Sequence, residues 1–139
     1  MIDPTLEFQT AVRATLIGAP EVTALVPADH IRAGSTRPDK LPTIILANTQ
    51  LVHLGWASGG AFLSRVYIDL HIWALEDGAE MARQIGAAVS VALWDAPACA
   101  TVGIDAYERP GFAYMRDPDP ERAYCHGVGT VEGVIRWRV

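Results

Sequence analysis

Basic charge is scarce in this chain: 11 Lys and Arg stand against 16 Asp and Glu, a formal net charge of −5. A domain built to grip nucleic acid neutralises phosphates with a basic patch, so dedicated nucleic-acid binding is disfavoured, as is adhesion to an anionic membrane surface. Cysteine is scarcer still. Cys99 and Cys125 make neither a disulfide framework nor a four-ligand zinc pattern, and two reduced thiols are expected. The most apolar stretch, Ile85 to Trp94, is far too short to span a bilayer. The opening Met1-Ile2-Asp3-Pro4 lacks the basic-then-apolar run of a secretion signal, so a soluble, cytoplasmic protein with no membrane partner is expected. No internal repeat, low-complexity tract or linker between two cores is visible. With 139 residues, 50% of them apolar and 19% charged, the chain is expected to fold as one domain over residues 1–139.

The apolar pattern then places the elements. Asp3-Pro4 supplies an N-cap and a proline at the first helical position, and Phe8, Ala11, Val12 and Leu16 recur at helical spacing up to Gly18. Pro20 to Val26 reads as a short amphipathic segment, and Ala33 to Pro42 as a loop. Thr43 to Leu54 is a β-rich run with a bulge expected around Asn48 and Gln50, and Gly55 to Gly60 is a flexible connector. Phe62 to Trp73 shows the clearest alternation: Val66, Ile68, Leu70 and Ile72 on a core face, Tyr67, Asp69, His71 and Trp73 on the other. Asp77 and Glu80 form a capping-box-like start for a long helix with the stripe Ala82, Ile85, Val89, Ala92 and Leu93, closed by Pro97. Gly86, Ala87 and Ala88 would let it lie close to a sheet. A weaker strand region, Thr101 to Tyr114, is interrupted by Pro110-Gly111, and a polar loop runs from Met115 to Cys125. Val128 to Val139 alternates again, with Val131, Ile135, Trp137 and Val139 on one face and Thr130, Glu132, Arg136 and Arg138 on the other. The order predicts an α+β fold: a largely antiparallel sheet with an N-terminal helix and a long central helix on one face.

Chemistry is thin. Cys125 and His126 could pair a thiol with an imidazole, but neighbours in a strand point to opposite faces. Asp69 and His71 share a strand face and could make an acid–base unit, so a small hydrolase using them is one reading; no G-x-S-x-G or similar nucleophile motif accompanies them. His30, His53, His71 and His126 sit on separate elements without metal-ligand spacing, and no metal or cofactor is assigned. The Gly55 to Gly60 segment lacks the lysine and the following helix of a phosphate loop. Trp56, Trp73, Trp94 and Trp137 suit core or interface anchors, and Trp73, on the polar face of its strand, is expected to be exposed for a protein contact.

Several segments, taken in order, resemble the tail-completion or tail-terminator family of long-tailed phages and gene-transfer agents. Asp3-Pro4 and Leu6, then Pro20-Glu21-Val22-Thr23-Ala24-Leu25-Val26, resemble its paired N-terminal helices, ahead of a short strand at His30-Ile31-Arg32. Leu41 to Leu46 resembles its proline-initiated first long strand, and Leu70-His71-Ile72-Trp73 with Gly78 to Ile85 its aromatic-ended strand and central helix, which finishes at Leu93 to Pro97. Arg116-Asp117-Pro118-Asp119, His126-Gly127-Val128 and Ile135 to Arg138 are similar to its closing loop and strand. The segments Gly55–Gly60 and Met115–Tyr124 depart from it. The resemblance implies a structural, non-enzymatic protein: a ring of six subunits that caps the tail tube, ends its polymerisation and joins it to a head connector or stopper protein. DNA would pass its channel without specific binding. The protein would be made in the bacterial cytoplasm and assembled into the tail of a phage or gene-transfer-agent particle. A stopper or connector subunit of the same particle is the alternative within that setting. Aromatics and arginines dominate interface energetics, so Trp56, Trp73, Arg116, Asp117, Arg122, Arg136 and Arg138 are the candidate contact residues.

Overall fold

A computed structural model describes residues 2–75, 80–119 and 121–139. The chain runs α1 (Pro4–Ile17), α2 (Pro20–Thr23), β1 (Ile31–Ala33), β2 (Thr43–Ala57), β3 (Ala61–Leu75), α3 (Glu80–Ala92), β4 (Gly103–Glu108), β5 (Phe112–Arg116) and β6 (Tyr124–Trp137). The six strands form one sheet in the order β1-β2-β3-β6-β4. β4 and β5 share the far edge of β6: β4 pairs along Glu132–Arg136 and β5 along Cys125–Gly129. Every pairing is antiparallel except the three-residue β1, which lies parallel to Ile44–Leu46. The expected α+β class holds, and strand dominates it.

Local chemistry explains the helix ends. The Asp3 carboxylate accepts from the Thr5 N–H at 2.9 Å, satisfying one of the orphan donors of the first turn, and Gly18 stands at the C-cap of α1. The expected long central helix is not shown: among the described residues α3 has 13 residues beside the 14 of α1. It stops at Ala92 and not near Pro97, and the Tyr107 hydroxyl donates to the freed Leu93 carbonyl at 2.6 Å, a tertiary cap invisible in local sequence. The expected capping start at Asp77 lies outside the described residues.

The core forms between the helices and one sheet face. Phe8, Val12 and Leu16 of α1, and Ala82, Ile85 and Val89 of α3, pack on Val66, Ile68, Leu70 and Ile72 of β3 and on Val131 and Ile135 of β6. Burying such side chains contributes about 1.5–3 kcal/mol each. β6 turns Gly127, Gly129 and Gly133 toward this side, and space there is already taken: a Cβ at Gly129 would meet the Gly111 carbonyl at 2.5 Å and the Phe112 ring at 2.8 Å. Gly86 makes the close approach of α3 possible, because the Tyr114 hydroxyl occupies the place of its missing Cβ.

The two central strands are longer than the apolar pattern indicates. β2 runs on to Ala57 through Gly55 at φ 124°, so the connector shrinks to Ser58–Gly60. The bulge expected near Asn48 is present: the β2–β3 register shifts between Ala47 and Gln50, with Asn48 at φ 53°. The last strand begins at Tyr124 and not Val128, and β5 extends to Arg116, which shortens the expected polar loop.

Candidate interaction surfaces

The face of the sheet away from the helices carries Arg65, Tyr67 and Asp69 from β3 beside Glu132 and Thr130 from β6. Its polar groups are paired among themselves. Arg65 meets Glu132 at 3.6 Å, and Asp69 accepts from the Thr130 hydroxyl at 2.8 Å and from the Asn48 amide at 3.2 Å. Exposed pairs of this kind contribute under about 1 kcal/mol each, so they mark a wetted face rather than a source of stability.

At the end of the sheet that holds Trp73, the loop after β1 and the segment before β6 fold over this same face. Trp73 is only 2% exposed, which corrects its expected exposure. Its indole N–H donates to the Thr36 carbonyl at 2.7 Å, its ring stacks on His126 at 3.8 Å, and the Arg37 guanidinium lies 5.2 Å from the ring centroid. Asp117 is likewise buried, held by both Arg37 terminal nitrogens at 3.2 and 3.3 Å. Burial pushes that carboxyl up, but the Arg37 hydrogen bonds, the Asp119 backbone N–H and the charges of Arg37 and Arg122 outweigh it and leave it below the usual carboxylate range. Neither residue offers a free contact in the chain by itself.

Below Trp73, His71 Nδ1 and His126 Nε2 lie 2.7 Å apart, and His71 Nε2 is buried with no partner among the described residues. One ring must donate and the other accept, so the pair tolerates at most one added proton. Burial is the main reason the His126 pKa is pushed down to about 4, with the His71 and Arg37 charges adding to it against Asp117. Burial likewise lowers His71, opposed by Asp69. This pair was missed in the sequence because its members are 55 residues apart; both fall on polar strand faces, and only the β3–β6 register joins them.

The hydrolase constellation does not assemble. Asp69 is engaged by Thr130 and Asn48, and His71 by His126. Cys125 is buried in the helix-side core while its neighbour His126 stacks on Trp73 across the sheet, as strand alternation requires. His30 meets the Pro42 carbonyl at 2.8 Å, and His53 the Ser64 hydroxyl at 2.9 Å. Among the described residues no three His, Cys, Asp or Glu side chains gather as a metal site would need.

The other candidate contact residues are exposed and lie at opposite ends of the sheet. At one end, Trp56, 71% exposed, stacks on Phe62 at 4.6 Å, and Phe62 on Trp137 at 4.8 Å. Arg136 pairs with Asp105 at 3.2 Å, and Arg138 donates to the Gly59 carbonyl. At the other end stand Arg116, closing β5, and Arg122, which pairs with Asp119 at 3.3 Å. The 15 residues of β3 separate the two ends by about 45 Å.

The fold is thus a helix-backed, mainly antiparallel sheet whose outer face is polar. The chain matches the family described as Tail completion protein gp17 over residues 10–136 and belongs to that family, whose members are structural components of phage tails. Among solved structures, a chain of the "Virion of native gene transfer agent (GTA) particle" has the same fold, with a TM-score of 0.69 at 16% identity, covering 98% of this chain and 99% of that one. No curated protein sequence matches.

Proposed function

We propose that this protein terminates the tail of a phage-like particle: a ring, six copies in our reading, that caps the tail tube, stops its growth and joins it to a head connector or stopper around the DNA channel. The observation that carries the proposal is the family match across nearly the whole chain, residues 10–136. The surfaces support it in two ways. A terminating subunit needs two different faces, one for the last tube ring and one for the connector, because a subunit offering the tube's own contact on both would propagate. The exposed candidates divide in that manner, Trp56, Arg136 and Arg138 at one end of the sheet and Arg116 and Arg122 at the other. The net charge of −5 also suits a channel through which DNA slides without being held.

No catalysis is assigned. The fold shared with a gene-transfer-agent chain extends the setting to either kind of particle, assembled in the bacterial cytoplasm. Negative-stain electron microscopy of the purified protein tests the ring: annular particles with a central hole are expected, and compact particles without a hole at every concentration would refute it.

A further inference from the structure

Among the described residues the sheet leaves two strand edges unpaired at the end away from Trp73, those of β2 and β4; β1 and β5 form the edges at the other end. β1 covers only Ile44–Leu46 of the outer edge of β2; from Gln50 to Ala57, β2 has no strand partner but β3 among the described residues. Opposite that stretch, β3 pairs with Glu132–Trp137 of β6, and Glu132–Arg136 in turn pairs with β4, whose other edge has no strand partner among the described residues. Across β2, β3, β6 and β4 each neighbour is antiparallel, so the two edge strands run in opposite directions.

The edges differ in how they are guarded. Natural edge strands carry charges, prolines or bulges that discourage pairing with another chain. β4 is short, shifts register between Ile104 and Ala106, and exposes Asp105 and Glu108. β2 from Asn48 to Ala57 has no charged residue and no proline, and exposes Val52 (48%), Leu54 (48%) and Trp56 (71%). Register shifts bend it near Asn48 and Leu54, but Gln50–His53 between them pairs regularly with Ser64–Tyr67.

We propose that the uncharged edge of β2, Gln50–Ala57, pairs antiparallel with β4, Gly103–Glu108, of a second copy, so that one sheet continues from subunit to subunit. This rests on the ring reading above for the presence of that copy. A neighbour shifted sideways in the same orientation presents β4 antiparallel to β2, at the same end, with the helices on the same side. Backbone N–H and C=O groups on both edges then find partners, as in β-strand addition. The contact is head-to-tail, which a closed ring requires. Pairing β4 with β4 would set Asp105 and Glu108 against their copies, and pairing β2 with β2 would leave β4 open and stop at a dimer.

The sign of an added charge separates these arrangements. Val52→Glu with Leu54→Glu places acids against Asp105 and Glu108 of the neighbour, whereas Val52→Lys with Leu54→Lys places cations there. Both positions are exposed, and circular dichroism with thermal melting verifies folding. By sedimentation velocity at low salt, the unaltered protein is expected above dimer mass. The Glu variant should dissociate with at least a tenfold weaker association constant, and the Lys variant should stay associated. Dissociation of both variants would overturn the proposal in favour of β2–β2 pairing. An oligomer that ignores both variants would overturn it and leave the tail-capping reading intact. Unaltered protein that stays monomeric would overturn it too, and tail length in a deletion strain then decides the capping reading independently.

Discussion

Acid should destabilise this protein through the pair of the buried His71 and the half-buried His126, and the size of the effect follows from its geometry. The two rings share one hydrogen bond at 2.7 Å beneath Trp73, and the His126 pKa sits near 4 against an ordinary value of 6.5. The native state therefore holds fewer protons than the unfolded chain between those values. Stability from this source is fully present above about pH 6.5 and is lost as pH falls toward 4. Integrated from neutrality down to pH 4.5, His126 alone accounts for at most about 2.5 kcal/mol, partial exposure reducing it and His71 acting in the same direction. That is a large share of the 5–15 kcal/mol typical of a domain. Urea unfolding at pH 7.5 and pH 4.5 measures it, on the unaltered protein and on His126→Gln, which removes the titrating ring. The unaltered protein should lose about 2 kcal/mol more than the variant over this interval. Equal losses in both would show that the pair does not couple folding to protonation.

Substitutions in the core and on the surface give further expectations. Ile85→Asp places an unpaired carboxylate at a fully buried position facing β3 and should cost several kcal/mol, leaving no soluble folded protein, while Glu80→Ala at the exposed start of α3 should shift the melting temperature little. Gly129→Ala sets a Cβ 2.5 Å from the Gly111 carbonyl and should cost about 1–3 kcal/mol in urea titration; an unchanged midpoint would mean the β5 turn yields freely. Arg136→Glu with Arg138→Glu breaks only the exposed Asp105 pair and the Gly59 contact, so melting should change by under about 1 kcal/mol while particles assembled with the variant show unjoined heads and tails; normal joining would remove these arginines from the contact.

Much of this architecture is legible in the sequence because it is written in local periodicity. Val66, Ile68, Leu70 and Ile72 alternate as a core-facing strand should, and each is fully buried. Asp3-Pro4 announces α1, and the bulge at Asn48 coincides with the break in alternation. What was not legible depends on contacts distant in sequence. Trp73 has the parity of an exposed residue, yet its indole meets a carbonyl 37 positions earlier, and Asp117 is buried by an arginine 80 positions away. Gly55 reads as a turn residue but continues β2 at φ 124°, a backbone conformation that residues with a side chain rarely adopt. The Leu93 carbonyl just past α3 is capped by Tyr107 of β4, 14 positions further on. The exposed candidates Trp56, Arg116, Arg122, Arg136 and Arg138 could be named from residue type, but their division between two ends emerges only from the strand register.

The central claim is that this chain sets where a tail stops, and the length distribution of tails tests it most directly. In a strain deleted for the gene, electron micrographs of particle lysates should show tails of widely varying length, many beyond the normal value, lying apart from DNA-filled heads. Supplying the protein from a plasmid should restore one length and joined particles. Tails of normal, uniform length already attached to full heads in the deletion strain would contradict the account.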